Sequence, residues 1–145
     1  MAMLPFCGYN MGDYLAHWLK IGSTAGRKLP KIYYVNWFRK DENGFLWPGY
    51  GENSRLLKWV FERCNGTTKA VDTPIGRLPQ PQDLDVRGLE ISAANLAKLL
   101  SVDVEGWLAE VPLIREHFTR FGTHLPQGLR DEVDRLEQRL KAAKK

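Results

Sequence analysis

Between Asn36 and Arg55 the chain places Trp37, Phe38, Phe45, Trp47 and Tyr50 among Gly44, Gly49, Gly51 and Pro48, then runs directly into a helical pattern. The interior of a strand or helix does not accept glycine and proline at that density. Most of these rings must therefore be carried on loops that end at a helix start. Rings on glycine-rich loops pack poorly into a core and stay open to a ligand. Two flat rings flanking a polar side chain suit a buried purine: stacking supplies affinity, and hydrogen bonds to the base edge supply the choice of base.

Taken singly, Trp47 reads as a core ring, whereas Phe38, Phe45 and Tyr50 read as ligand-facing. Asn53 has two readings at the helix start. It is an N-cap, or an amide that donates and accepts against the mixed edge of guanine. Glu52 either caps the helix or holds the loop, and the helix start adds oriented backbone N–H groups.

Around this segment the pattern is mostly helical. Tyr14, Leu15, Trp18, Leu19 and Ile21 predict an amphipathic helix over Gly12–Ile21, ended by Gly22. Lys31–Phe38, dense in β-branched and aromatic residues after Pro30, predicts a strand buried on both faces that delivers Trp37 and Phe38 to its end. The Asn43–Gly44 pair predicts a reversal within Lys40–Gly44, with a return through Phe45–Trp47. From Asn53 or Ser54 a helix carries Leu56, Leu57, Trp59, Val60, Phe61 and Cys64, with Gly66 just past its end. Thr73–Pro79 and the Gln/Pro/Asp run after it read as an extended connector. Ser92 and Asp103 are placed to cap two further helices, the second interrupted or kinked at Pro112. Leu129, Val133, Leu136 and Leu140 mark a last helix from Pro126.

The 145 residues are 43% apolar with a net charge of +4, enough for a core and too little positive charge for a nucleic-acid face. Part of that excess sits in Lys141–Lys145, which reads as a solvated helix end. Cys7 and Cys64 show no metal-ligand or disulfide spacing and read as free thiols of a reducing compartment. His17, His117 and His124 have no second ligand at metal spacing, and no Gly-Lys-Ser/Thr phosphate loop is present. No membrane span or leader is evident, so the expectation is a soluble cytoplasmic protein. The opening Met1–Gly12 reads like the inside of a folded protein, which suggests a truncated chain.

Several long blocks carry a resemblance: Phe6–Leu19 (Phe-Cys-Gly-Tyr-Asn-Met-Gly-Asp-Tyr-Leu-Ala-His-Trp-Leu), Leu29–Lys40, Phe45–Arg55 (Phe-Leu-Trp-Pro-Gly-Tyr-Gly-Glu-Asn-Ser-Arg) and Thr73–Gly76. In order, over essentially the whole chain, they closely resemble the C-terminal part of GTP-dependent phosphoenolpyruvate carboxykinase. That family converts oxaloacetate and GTP to phosphoenolpyruvate, carbon dioxide and GDP in gluconeogenesis, with a divalent metal that is typically Mn2+. The resemblance implies a guanine pocket. Phe38 and Tyr50 would stack on the base, Phe45 would close on it beside Trp37, and Asn53 with the loop Tyr50–Gly51–Glu52 would read its edge. It also implies that the phosphate loop, metal ligands, oxaloacetate-binding arginines, reactive cysteine and lid lie upstream, so no catalytic residue and no metal ligand is assigned here. Two departures stand out. Tyr50 replaces the family's usual phenylalanine, and the hairpin Asp41–Gly44 is one residue shorter than the family pattern, a change that can turn Phe45 aside.

The expected fold is mixed α+β and helix-rich, with a short strand pair from the edge of a larger sheet and a helical C-terminal extension. Residues 1–79 would be the guanine-binding part of the carboxykinase C-terminal domain, and residues 80–145 its helical extension. The expected partner is guanine nucleotide (GTP or GDP), in a monomeric enzyme, with oxaloacetate and phosphoenolpyruvate bound only alongside the upstream part. The competing class is a stand-alone guanine-binding module without catalysis. A third, single-strand nucleic-acid binding through Arg39, Lys40 and Arg55, ranks below both.

Overall fold

The computed structural model describes residues 4–144. Residues 1–3 of the apolar opening and Lys145 of the basic tail lie outside the described residues. In chain order the elements are helix α1 (Met11–Ser23), hairpin strands β1 (Lys40–Asp41) and β2 (Gly44–Phe45), helix α2 (Asn53–Asn65), hairpin strands β3 (Val71–Thr73) and β4 (Gly76–Leu78), and helices α3 (Ala93–Leu100), α4 (Val104–Thr119) and α5 (Gln127–Ala143). Single 3-10 turns occupy Leu4–Phe6, Tyr50–Glu52, Pro81–Asp83 and Gly122–His124. This is the helix-rich α+β fold expected, with two short antiparallel strand pairs. No helix among the described residues is long and apolar enough to cross a membrane.

The chain divides into two compact units, Met1–Pro30 with Asp103–Lys145, and Lys31–Val102. The first unit is helical. Met11, Phe121 and Leu125 are buried together, with Leu15, Phe118 and Leu129 packed against them, and α4 packs along α5. The predicted seam of α5 is real: Val133 and Leu140 are buried. Helix α4 runs through Pro112. The ring is exposed; it removes one N–H donor and crowds the Leu108 carbonyl, which water can serve. The basic end of α5 is paired: Lys141 bridges Glu137 and Lys144 bridges Glu105.

The start of α1 is fixed by a side-chain clasp. Asn10 Oδ1 accepts from the Gly12 N–H at 2.8 Å while its Nδ2 donates to the Phe121 carbonyl at 3.3 Å. Gly12 sits so close to the 3-10 turn that a Cβ there would lie 2.6 Å from the His124 carbonyl oxygen.

The second unit has its core around Trp59, Leu84 and Leu96, with Tyr33, Leu56, Val60 and Leu99 packed on it. Helix α2 ends as the sequence predicts, with Gly66 in the left-handed conformation at φ 73°. Lys31 Nζ donates to the carbonyls of Arg63 and Cys64 at 3.0 Å each, a cation at the negative end of that helix. Ser92 and Asp103 cap α3 and α4 as expected, accepting from the N–H of Asn95 and Gly106.

Two expectations are corrected. Lys31–Phe38 joins no strand ladder and turns at Trp37–Phe38, and it is covered on one side only: Tyr33, Val35 and Trp37 are half-buried while Ile32, Tyr34 and Phe38 are exposed. Its composition reads as doubly buried, yet within this unit a single apolar layer lies against it. Within the connector read at Thr73–Pro79, residues 71–78 form a hairpin, reversing at Pro74–Ile75 and tied by Asp72 to Arg77 at 2.9 Å.

The two glycines of α1 give a direct test. Gly12→Ala drives a methyl into a backbone carbonyl and should cost about 1–3 kcal/mol. Gly22→Ala meets open space and should stabilise by about 0.5–1 kcal/mol. Urea unfolding of the two variants should shift the midpoint in opposite directions.

Candidate functional site

The aromatic segment is built on the first hairpin. β1 pairs with β2 in the register Lys40 to Phe45 and Asp41 to Gly44. The turn residues are Glu42 and Asn43, and the positive φ falls on Gly44 at 114°. The Asp41 carboxylate accepts from the Asn43 N–H at 2.9 Å and bridges Lys98 at 2.6 Å. Lys98 holds that carboxyl below the usual aspartate range. The hairpin leaves Phe45 beside Phe38, ring centroids 6.3 Å apart and planes at 64°. Both rings are mostly exposed, so they touch each other without being part of a core.

After β2 the chain dives inward. Leu46 and Trp47 are buried, which bears out the core reading of Trp47. Pro48 and Gly49 then turn the chain. Gly49 adopts φ 86° and ψ −164°, a conformation a side chain would oppose. The turn delivers Tyr50, Gly51 and Glu52 as a 3-10 turn that runs into α2. The Tyr50 ring is 97% exposed, with no other ring packed on it among the described residues.

Asn53 departs from the capping reading. It is already helical, at φ −58° and ψ −29°, and its Oδ1 accepts from Trp47 Nε1 at 2.9 Å. The preceding 3-10 turn moves the helix entry upstream, so no first-turn N–H is left for its side chain. Glu52 stands at the cap position but makes no cap hydrogen bond. It pairs with Arg55, which also donates to the carbonyls of Asp85 at 2.7 Å and Arg87 at 2.9 Å. Glu52 therefore holds the loop. Asp85 in turn is kept far below the usual carboxylate range by Arg87 and Lys58.

The structure thus brings Phe38 to Phe45 and Asn53 to Trp47, and ties Glu52 to Arg55. Trp37 is half-buried at the end of the extended segment, and Tyr50 and Gly51 stand clear. The hydrogen-bonding role of Trp47 was missed in the sequence, where nothing marks a tryptophan six residues before an asparagine as its partner. Among the described residues no three His, Cys, Asp or Glu side chains converge as a metal would need.

The fold is that of a helix-rich α+β domain segment with an exposed ring pair and an ordered amide at a helix start. Residues 1–139 match the phosphoenolpyruvate carboxykinase C-terminal P-loop domain, and the chain belongs to that family. It is 55% identical over 142 residues to the Treponema pallidum (strain Nichols) phosphoenolpyruvate carboxykinase (GTP), covering 96% of this chain and 23% of the relative. The protein of the same name from Neocallimastix frontalis is 56% identical over 144 residues, 98% of this chain and 24% of the relative. That from Chlamydia abortus is 54% identical over 145 residues, with coverages of 99% and 24%. The chain spans about a quarter of the length of these curated relatives.

Acid titration tests the hairpin anchor. Because the folded pKa of Asp41 is depressed, its contribution is present above the unfolded pKa of about 3.9 and is lost as pH falls through the folded value. Carbonyl-detected NMR should show Asp41 titrating below ordinary aspartates, and Lys98→Met should move that midpoint upward. An unchanged midpoint would remove Lys98 as the cause.

Proposed function

We propose that this chain carries the guanine-recognition part of a GTP-dependent phosphoenolpyruvate carboxykinase, the enzyme that converts oxaloacetate and GTP to phosphoenolpyruvate, carbon dioxide and GDP. The observation that carries this reading is the exposed Phe38–Phe45 ring pair in the same short segment as an asparagine amide held by a buried indole. Exposed rings in contact are available surface for a base, and an ordered amide is the means of telling one base from another.

In this reading Phe38 and Tyr50 stack on guanine, Phe45 closes over it beside Trp37, and Asn53 with Gly51 and Glu52 faces the base edge. Residues 1–79 supply the base-binding part and residues 80–145 the helical extension. Arg39 and Arg55 favour this over single-strand binding, because both guanidinium groups are already engaged with backbone carbonyls. The remainder of a full-length, monomeric cytoplasmic enzyme would hold the phosphates, oxaloacetate and Mn2+. Decarboxylation leaves an enolate that metal and cationic groups must stabilise, and we assign no residue of this chain to that work. Gluconeogenesis is the pathway such an enzyme feeds.

Titration of the chain with GDP should give saturable tryptophan quenching, with no saturation by ADP. Without phosphate contacts the affinity should lie in the millimolar range, about −4 kcal/mol. Phe38→Ala should weaken it about ten- to hundredfold, the worth of one stacked base. Equal responses to GDP and ADP would sink the reading. The chain alone should show no turnover of oxaloacetate with GTP in a coupled assay.

A further inference from the structure

We propose that Trp47 is a positioning residue that fixes which edge Asn53 shows to a purine, and so makes the site select 6-oxopurines over 6-aminopurines. The inference rests on the guanine reading above.

An indole Nε1–H donates and cannot accept. Its partner at 2.9 Å is therefore the carbonyl oxygen of the Asn53 amide, which settles an orientation that an isolated amide leaves free. With Oδ1 turned to Trp47, the NH2 group faces the other way, and among the described residues it donates to nothing. Flipping the amide would set NH2 against N–H and leave a buried donor without an acceptor. The indole cannot follow, because Trp47 is 5% exposed and held by its packing, in contrast to the open rings at Phe38, Phe45 and Tyr50. Trp47 thus passes the rigidity of the core to one polar group at the start of α2.

The outward group is a pair of N–H donors. Guanine and hypoxanthine carry a carbonyl acceptor at C6, and adenine carries an amino donor there. The oriented amide matches the first two and meets the third donor to donor. A site that leaves buried polar groups unpaired with the wrong ligand discriminates far more strongly than one that only excludes by size. The ligand class is accordingly a 6-oxopurine nucleotide, with the 2-amino group of guanine not required by this contact.

The test is an NMR chemical-shift titration of the full chain with GDP, IDP and ADP, for wild type, Trp47→Phe and Asn53→Asp. Wild type should bind GDP and IDP alike and ADP more weakly. Trp47→Phe keeps a ring in the core but frees the amide, and should cut the GDP-to-ADP preference about tenfold, with IDP following GDP. Asn53→Asp still accepts from Trp47 but turns an acceptor outward, and should cut the same ratio at least tenfold. Its added charge acts on all three diphosphates alike and leaves the ratio to report the edge.

If Trp47→Phe does not fold, two readings decide instead: the Asn53→Asp ratio, and exchange of the Trp47 indole N–H with solvent. That exchange should be slow in wild type and faster in Asn53→Ala. Wild type that binds no GDP, or binds GDP and ADP equally, overturns the guanine reading and this inference with it. Selective wild type whose ratio survives both substitutions, or whose variants weaken all three nucleotides equally, overturns the positioning role alone.

Discussion

The buried indole of Trp47 is the hinge between what this chain packs and what it presents. Together with Leu46 it anchors the return of the first hairpin, so that the rings on either side, Phe45 and Tyr50, are held out from the body. The same indole fixes the amide of Asn53 in the first turn of α2. One side chain thereby ties hairpin, Pro-Gly turn and helix start into a fixed arrangement, where a hydrophobic residue of equal size would tie only the first. A buried tryptophan usually finds a partner for its N–H, and here that partner is a group with a use of its own. Trp59 is the contrast within the same unit. Among the described residues its N–H has no hydrogen-bond partner, and its ring meets Tyr33 edge-on at 6.2 Å and 84°, so its contribution is packing.

A second theme is how a unit with few strand ladders satisfies its backbone. Arg39 donates to the carbonyls of Leu99 and Ser101, Arg55 to those of Asp85 and Arg87, Lys31 to those ending α2, and Arg63 to Thr68 at 2.8 Å. Loop carbonyls that no sheet serves still need donors, and long cationic side chains reach them while the charged head stays near water. The modest positive charge of the chain is therefore largely structural in this unit. A surface for polyanions would need the same groups free.

Much of the helical framework was legible in advance. Apolar residues at three- and four-residue steps, Ser92 and Asp103 as caps and Gly66 as a terminator each act within one turn of chain, so neighbours in sequence suffice to read them. The readings that needed correction depend on partners distant in sequence or on backbone shape. Lys31–Phe38 has the composition of a doubly buried strand, yet burial is decided by what covers a face, and composition does not reveal whether a second layer exists. The hairpin at residues 71–78 was hidden by Pro74, which looks like a break and is in fact the turn. Asn53 looked like a cap because caps are common at helix starts, but the 3-10 turn at Tyr50–Glu52 moved the entry upstream.

By itself the sequence determined the family, the helices and the set of side chains available to meet a base, because these follow from local pattern and from long blocks of identity. Tertiary structure alone decided which of those side chains are free and which way they face: Phe38 against Phe45, Glu52 turned to Arg55, and the amide of Asn53 oriented by Trp47. The reason is physical. A hydrogen bond or a ring contact is a matter of ångströms between atoms, and a residue's type sets what it can donate or stack on without setting where its partner stands.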